Sequence, residues 1–273
     1  MRYVAPLRSE VDPSVFCRMP LAAWHADAAL LEGSEWPSID SLNARVPTGA
    51  NYRFVAQTLE LLADGLHYEQ RIATRGEIAT REANWHDLLN ALIWLRYPAL
   101  KWALNRRQMG EIARMGTKQR SREQYALTHF DEGGIVVLLR DPALLPLWDA
   151  HDWYGLFWTH RTAWLDGTIQ AQLFGHALLE QSLTPSQLLV GKALVFQVAE
   201  NVDMAQVLAT CAAEIDASQL LHDPLELRPL PLAGVPGWRE DNADELFHRT
   251  TVCYQPRRAG REYPPAHSIV GSP

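Results

Sequence analysis

The chain has 273 residues, 47% of them hydrophobic and 21% charged, enough to bury a sizeable core and unlike the composition of a disordered chain. Its 25 Lys and Arg stand against 32 Asp and Glu, a net charge of −7, which argues against a general nucleic-acid or anionic-membrane binder, because those meet phosphate with a basic face. No stretch approaches the roughly 18 uncharged apolar residues that cross a bilayer, and residues 1–10 lack a basic region followed by an apolar run. Cys17, Cys211 and Cys253 are far apart with no Cys-x-x-Cys spacing, which suits thiols in a reducing cytoplasm and excludes a thiolate zinc site.

The first fifty residues read as a wrapping arm of short helices, with Asp12 and Ser38 as caps ahead of each. Between Asn51 and Arg81, Tyr52–Val55, Tyr68–Ile72 and Ile78–Thr80 read as strands, while Leu59–Gly65 suits either a strand or a short helix. Asn84–Leu95 is the strongest helix: Trp85, Leu88, Leu89 and Leu92 share a face, and Asn84 with Asp87 forms a capping pair. Pro98 opens a second helix running to about Met115, and Ser121–Phe130 forms a third that ends at Gly133-Gly134.

Ile135–Leu139 is a continuous aliphatic run of the kind a buried strand shows, and Thr168–Leu173 and Ala193–Val198 are further strands. Helices are expected over Gly175–Ser182 and, capped by Asp203, over Met204–Ala217. Trp153, Phe157 and Trp164 fall on one helix face and read as core. After Asp223 the Pro/Gly-dense chain, with Leu227, Leu230, Leu232, Val235 and Trp238, reads as an extended segment wrapped on the body. The fold class is therefore α+β: one helix-rich domain over 1–254 with a small sheet and a wrapping C-terminal segment, then a flexible tail over 255–273.

Five ordered phrases carry a family resemblance. They are Asn84-Trp85-His86-Asp87 with Asn90-Ala91; Phe130-Asp131-Glu132 with Gly134; Phe174-Gly175-His176-Ala177; Gly191-Lys192-Ala193; and Gly234-Val235-Pro236-Gly237-Trp238. Spanning about Trp36 to Tyr254, the chain resembles the bacterial family catalogued as domain of unknown function 3025, DUF3025. That resemblance implies no particular reaction, cofactor or partner, so the chemistry rests on the residues.

Three of the phrases hold a histidine beside carboxylates: His86 with Asp87, His129 with Asp131 and Glu132, and His176 with Glu180. Imidazole with carboxylate is the donor set for zinc, manganese or iron and equally for acid–base chemistry near neutral pH. His176 and Glu180 are four positions apart on one helix face, as are His86 and Asn90. The expected metal ligands are His86, His129, His176 and Glu180, and the expected catalytic groups are His86, Asp87, His129, Asp131 and Glu132. Asn84, Asn90, Arg122, Arg161 and Lys192 are the expected ligand-binding residues, with Arg81 also available to an anion.

The reading is metal-assisted or acid–base hydrolysis of a small anionic substrate, with a divalent cation such as zinc or manganese as the cofactor. Its rival is a noncatalytic interaction module, in which the histidines are structural and the tryptophans with the Pro-rich segment face a protein partner. Gly-x4-Gly-Lys-Ser/Thr, Gly-x-Gly-x-x-Gly and Gly-x-Ser-x-Gly are all missing, which disfavours phosphate loops and a serine-hydrolase elbow.

Overall fold

The structure is a computed structural model that describes residues 3–116 and 120–270. Its N-terminal arm is a series of 3₁₀ turns followed by α1 (Ala28–Leu31) and α2 (Ile39–Asn43). Asp12 accepts from Ser14 N and Ser38 from Ser41 N, the two caps expected of them. Next come β1 (Arg53–Ala56), α3 (Leu59–Leu62), α4 (Tyr68–Arg75) and β2 (Glu77–Thr80). The two strands pair in parallel, with α3 and α4 forming the crossover between them.

Tyr68–Ile72 is thus helix and not strand. The aromatic and β-branched residues that suggested a strand are outweighed by terminal signals: Gln70 Oε1 accepts from His67 N at the start, and Gly76 closes the helix at φ 64°. A side chain at Gly76 would place its Cβ 2.3 Å from the Asn51 carbonyl oxygen, so the turn into β2 needs glycine.

A helical layer follows, made of α5 (Trp85–Arg96), α6 (Pro98–Met115) and α7 (Arg122–Gly133). Asn84 caps α5 by accepting from Asp87 N at 3.1 Å, and Ser121 with Gln124 forms a capping box on α7. Pro98 sits in the first turn of α6, where its missing N–H costs nothing.

The main sheet comprises β3 (Gly134–Leu139), β4 (Ile169–Leu173), β5 (Val190–Val198), β6 (Arg228–Pro231) and β7 (His267–Ile269). Its order is β4-β3-β5-β6, with β7 sharing the edge of β5 that β6 occupies further back; β3 and β5 are parallel. All six residues of β3 are buried, as its unbroken apolar run requires. Between the strands lie α8 (Leu145–Ala150), α9 (Arg161–Leu165), α10 (His176–Gln181) and α11 (Met204–Asp216); α12 (Glu245–Thr250) comes later.

Trp153, Phe157 and Trp164 stack in succession, the first two buried in the core and Trp164 partly buried against it. Leu227, Leu230, Leu232 and Val235 are buried, so the Pro/Gly-dense segment packs on the body. The expectation of a flexible tail from 255 onward meets a strand there: β7 fills the open half of the β5 edge, and Ile269 packs against the core. The architecture is α+β and rich in helix.

Candidate functional site

Three chain segments meet where the first turn of α5, the last turn of α7 and the start of α10 converge. The approach is possible because Gly175 has no side chain. A Cβ there would lie 2.5 Å from Gly133 Cα and Gly134 N and 2.6 Å from the Glu132 carbonyl oxygen, all backbone that cannot move aside. Gly175 N and Phe174 N both donate to the Gly134 carbonyl, which locks the start of α10 to the end of α7.

That junction places His176 Nε2 3.1 Å from His86 Nε2 and 3.7 Å from Glu132 Oε2. One donor atom from each of His86, Glu132 and His176 falls within 4.8 Å of the others. His176 is 3% exposed, His86 is half-buried and Glu132 reaches outward.

The far nitrogens of the two rings differ. His86 Nδ1 lies 3.0 Å from Glu180 Oε2, so its proton belongs on Nδ1. His176 Nδ1 is buried and has no hydrogen-bond partner among the described residues. The tautomer of His176 decides what the 3.1 Å contact is: with its proton on Nε2 it donates to His86 Nε2, and with its proton on Nδ1 two lone pairs face each other and only a cation, a proton or a metal, joins them.

The surroundings set the charge states. The Glu180 hydrogen bond raises the His86 imidazole above its ordinary range against the effect of burial, while desolvation pushes His176 down to about 3 and keeps it neutral. Burial lifts the Glu132 carboxyl. Burial also works to raise Asp131, but the Lys101 ammonium, bonded to it at 2.6 Å, overrides that and holds it below its usual value.

A polar cavity of about 450 Å³ opens from this group between α4, α5, α6 and α7. In it Lys101, 4% exposed, donates to Asn90 Oδ1 at 2.9 Å as well as to Asp131, and Asn90 Nδ2 donates to the Tyr68 hydroxyl at 2.9 Å. Asn105 Nδ2 donates to Glu69 Oε2 at 2.6 Å, and desolvation raises that carboxyl.

His86, Asp87, Asn90, Asp131, Glu132 and His176 therefore line one cleft, with Glu180 bonded to His86 from outside it. Asp87 lines the same cavity, but its carboxylate is engaged by Arg81: it takes a forked pair of bonds from the guanidinium and a third from Arg81 N, which ties α5 to the end of β2. Asn84 serves as the cap of α5. His129 is exposed on α7, where burial and the charge of Lys192 lower it, and neither residue joins the group. Arg122 is paired at the surface with Asp223, and Arg161 lies in a different cavity.

Lys101, Tyr68, Glu69 and Asn105 were missed. Lys101 left a signal, since it lies on the same face of α6 as Leu104 and Asn105, three and four positions on, where a solvated lysine does not belong.

The chain matches no curated protein and no solved structure. Residues 52–258 match the family described as Protein of unknown function (DUF3025), a span that contains every donor of the histidine–carboxylate group, and the chain belongs to that family.

Proposed function

We propose that the cleft is a metal-dependent hydrolytic site, in which His86 Nε2, His176 Nε2 and a Glu132 carboxylate oxygen hold a divalent transition metal. The observation that carries this reading is the pair of opposed Nε2 atoms at 3.1 Å, each on a ring whose other nitrogen is engaged or buried. Metal–nitrogen bonds of about 2.1 Å at angles between 90° and 109° put two ligand nitrogens roughly 2.9–3.4 Å apart. The spacing fits that range.

Two histidines and one carboxylate form the donor set of hydrolytic zinc sites that leave a coordination position open for water. Glu180 plays the part of the carboxylate that orients a ligating imidazole from behind. A bound cation would supply an activated water at neutral pH and polarise the bond under attack. This chain's own groups do the rest. The Tyr68 hydroxyl and the Lys101 ammonium present donors along the cavity.

Arg122, Arg161 and Lys192 stand outside this cleft; of the cations that line it, Arg81 and Lys101 are paired, whereas Arg120 forms no ion pair among the described residues. The substrate read from this lining is accordingly small and polar, with Arg120 available to an anionic group.

The test is turnover of p-nitrophenyl acetate, p-nitrophenyl phosphate and N-acetyl amino-acid amides by protein loaded with zinc, manganese or iron. We expect at least one to be hydrolysed, activity to vanish on chelation and return with about one equivalent of metal, and His86→Ala and Glu132→Gln each to lower kcat/KM at least about 100-fold. Hydrolysis that survives chelation, or no turnover of any substrate by the loaded protein, contradicts the proposal.

A further inference from the structure

The Gly234–Trp238 phrase, which the histidine cleft does not use, borders a second and larger cavity of about 660 Å³. It lies between the N-terminal arm near Val15–Pro20, the chain that follows α10, and residues 232–243. Its volume is in the range of roughly 300–1,000 Å³ typical of small-molecule sites.

Three arginines and two carboxylates line it. Arg239 is paired with Asp241 at 2.7 Å, and Glu240 is exposed at the rim. Arg161 is different. Its guanidinium is half-buried, one Nη donates to the Asn242 carbonyl at 2.9 Å, and it forms no ion pair among the described residues. Its neighbours His248 and Tyr254 are held neutral, the first lowered and the second raised by burial. The rest of its five-donor fork has no carboxylate within ion-pair distance among the described residues, although Glu240 and Asp241 line the same cavity, and Arg18, exposed in that lining, is likewise without an ion pair.

Asn242 supplies a second, independent sign. The residue is 1% exposed, and its Nδ2 donates to the Ala233 and Val235 carbonyls at 2.8 and 2.7 Å, which ties it to the Gly234–Trp238 phrase. Its Oδ1 is buried and has no partner. Buried polar atoms are rarely left this way unless something else completes them. Opposite the polar end, Val15, Leu189 and Trp238 offer an apolar wall.

We infer that this cavity is a binding site for a small organic anion, a carboxylate or phosphate monoester on an apolar body, held by the Arg161 fork that Asn242 anchors through its carbonyl. The anion is selected by the unpaired guanidinium, and the body by the Trp238 side. This site is separate from the histidine cleft, so it stands whether or not the cleft holds a metal.

Isothermal titration of metal-free protein with 1-naphthyl phosphate, 1-naphthylacetate and the neutral 2-(1-naphthyl)ethanol tests it. The expected result is one site per chain, with at least one anion binding below 1 mM on the order of tenfold tighter than the neutral analogue. Arg161→Gln should remove that tenfold preference, and Trp238→Ala should weaken all three ligands together. Preference for the phosphate or for the carboxylate then assigns the anion's source. Equal affinity for anions and neutral analogue in the wild-type protein, which needs no variant to fold, overturns the inference. So does anion binding that is abolished by Glu132→Gln and untouched by Arg161→Gln.

Discussion

In the cleft between α5, α7 and α10, Lys101 is bonded to Asp131, Arg81 to Asp87 and Glu180 to His86, whereas beside the Gly234–Trp238 turn Arg161 has only a carbonyl as partner. Both regions are half-buried and polar, and both hold cations and carboxylates. They differ in what is left over once internal pairs are counted. The cleft retains two facing imidazole nitrogens and an outward carboxylate, donor atoms that suit a positive charge. The second cavity retains a guanidinium with no ion pair among the described residues, a group that suits a negative one. Under the two proposals, the residual unpaired groups, more than the net composition of the lining, select the ligand of each region.

This contrast can be broken most forcefully at Lys101. Lys101→Met leaves Asp131 without its ammonium. Breaking a buried pair costs roughly 3–5 kcal/mol, and because Asp131 is 26% exposed the expected loss is at the lower end, about 3 kcal/mol, measured by denaturant unfolding. The double variant Lys101→Met/Asp131→Leu should recover most of it. A loss below about 1 kcal/mol would mean that the pair is effectively solvated.

A finer probe is Glu180→Gln, which keeps a hydrogen-bond acceptor for His86 Nδ1 and removes the charge. Zinc affinity, measured by competition with a chromophoric chelator, should fall roughly 10–100-fold with little change in fold. No change would place Glu180 outside the metal site. Arg161→Gln belongs at the quiet end of the scale. No carboxylate is stranded by its loss, so the melting transition should correspond to a change within about 1 kcal/mol, in contrast to Lys101.

Glu69 adds a pH signature. Burial raises its carboxyl in the folded chain, so the folded state holds this proton more tightly than the unfolded one, and stability from this group is lost as pH rises through the folded value. Glu69→Gln, neutral at every pH and still able to accept from Asn105, should therefore raise the melting temperature slightly at pH 7 and leave it unchanged at pH 4. The reverse order would show that Glu69 is stabilised as an anion, with Lys101 its effective partner.

Much of this arrangement was legible in the residues themselves. Asn84 and Ser121 announced their helices because capping is local chemistry, and Ile135–Leu139 announced a buried strand because no polar side chain interrupts it. His86, His176 and Glu180 were visible for a similar reason: a four-residue spacing on a helix fixes a shared face. What a linear pattern could not supply was the rotation of one element against another. His129 and Glu132 sit in the same helix end, yet the Gly175 contact turns Glu132 toward His176 and leaves His129 exposed. Lys101, Glu69 and Asn105 enter the cleft from α4 and α6, whose packing across it is set by tertiary contacts alone. Tyr68–Ile72 was misread for a related reason, since strand-like side chains say less than the capping Gln70 and the left-handed Gly76 that bound them.

The most direct measurement is anomalous diffraction from crystals of the untagged protein grown with zinc or manganese, recorded on either side of the metal edge. The account predicts a single strong peak about 2.0–2.2 Å from both His86 Nε2 and His176 Nε2, with a Glu132 oxygen completing the contact. A metal-loaded crystal with no peak there, and the two imidazoles still joined by a proton at 3.1 Å, would contradict it.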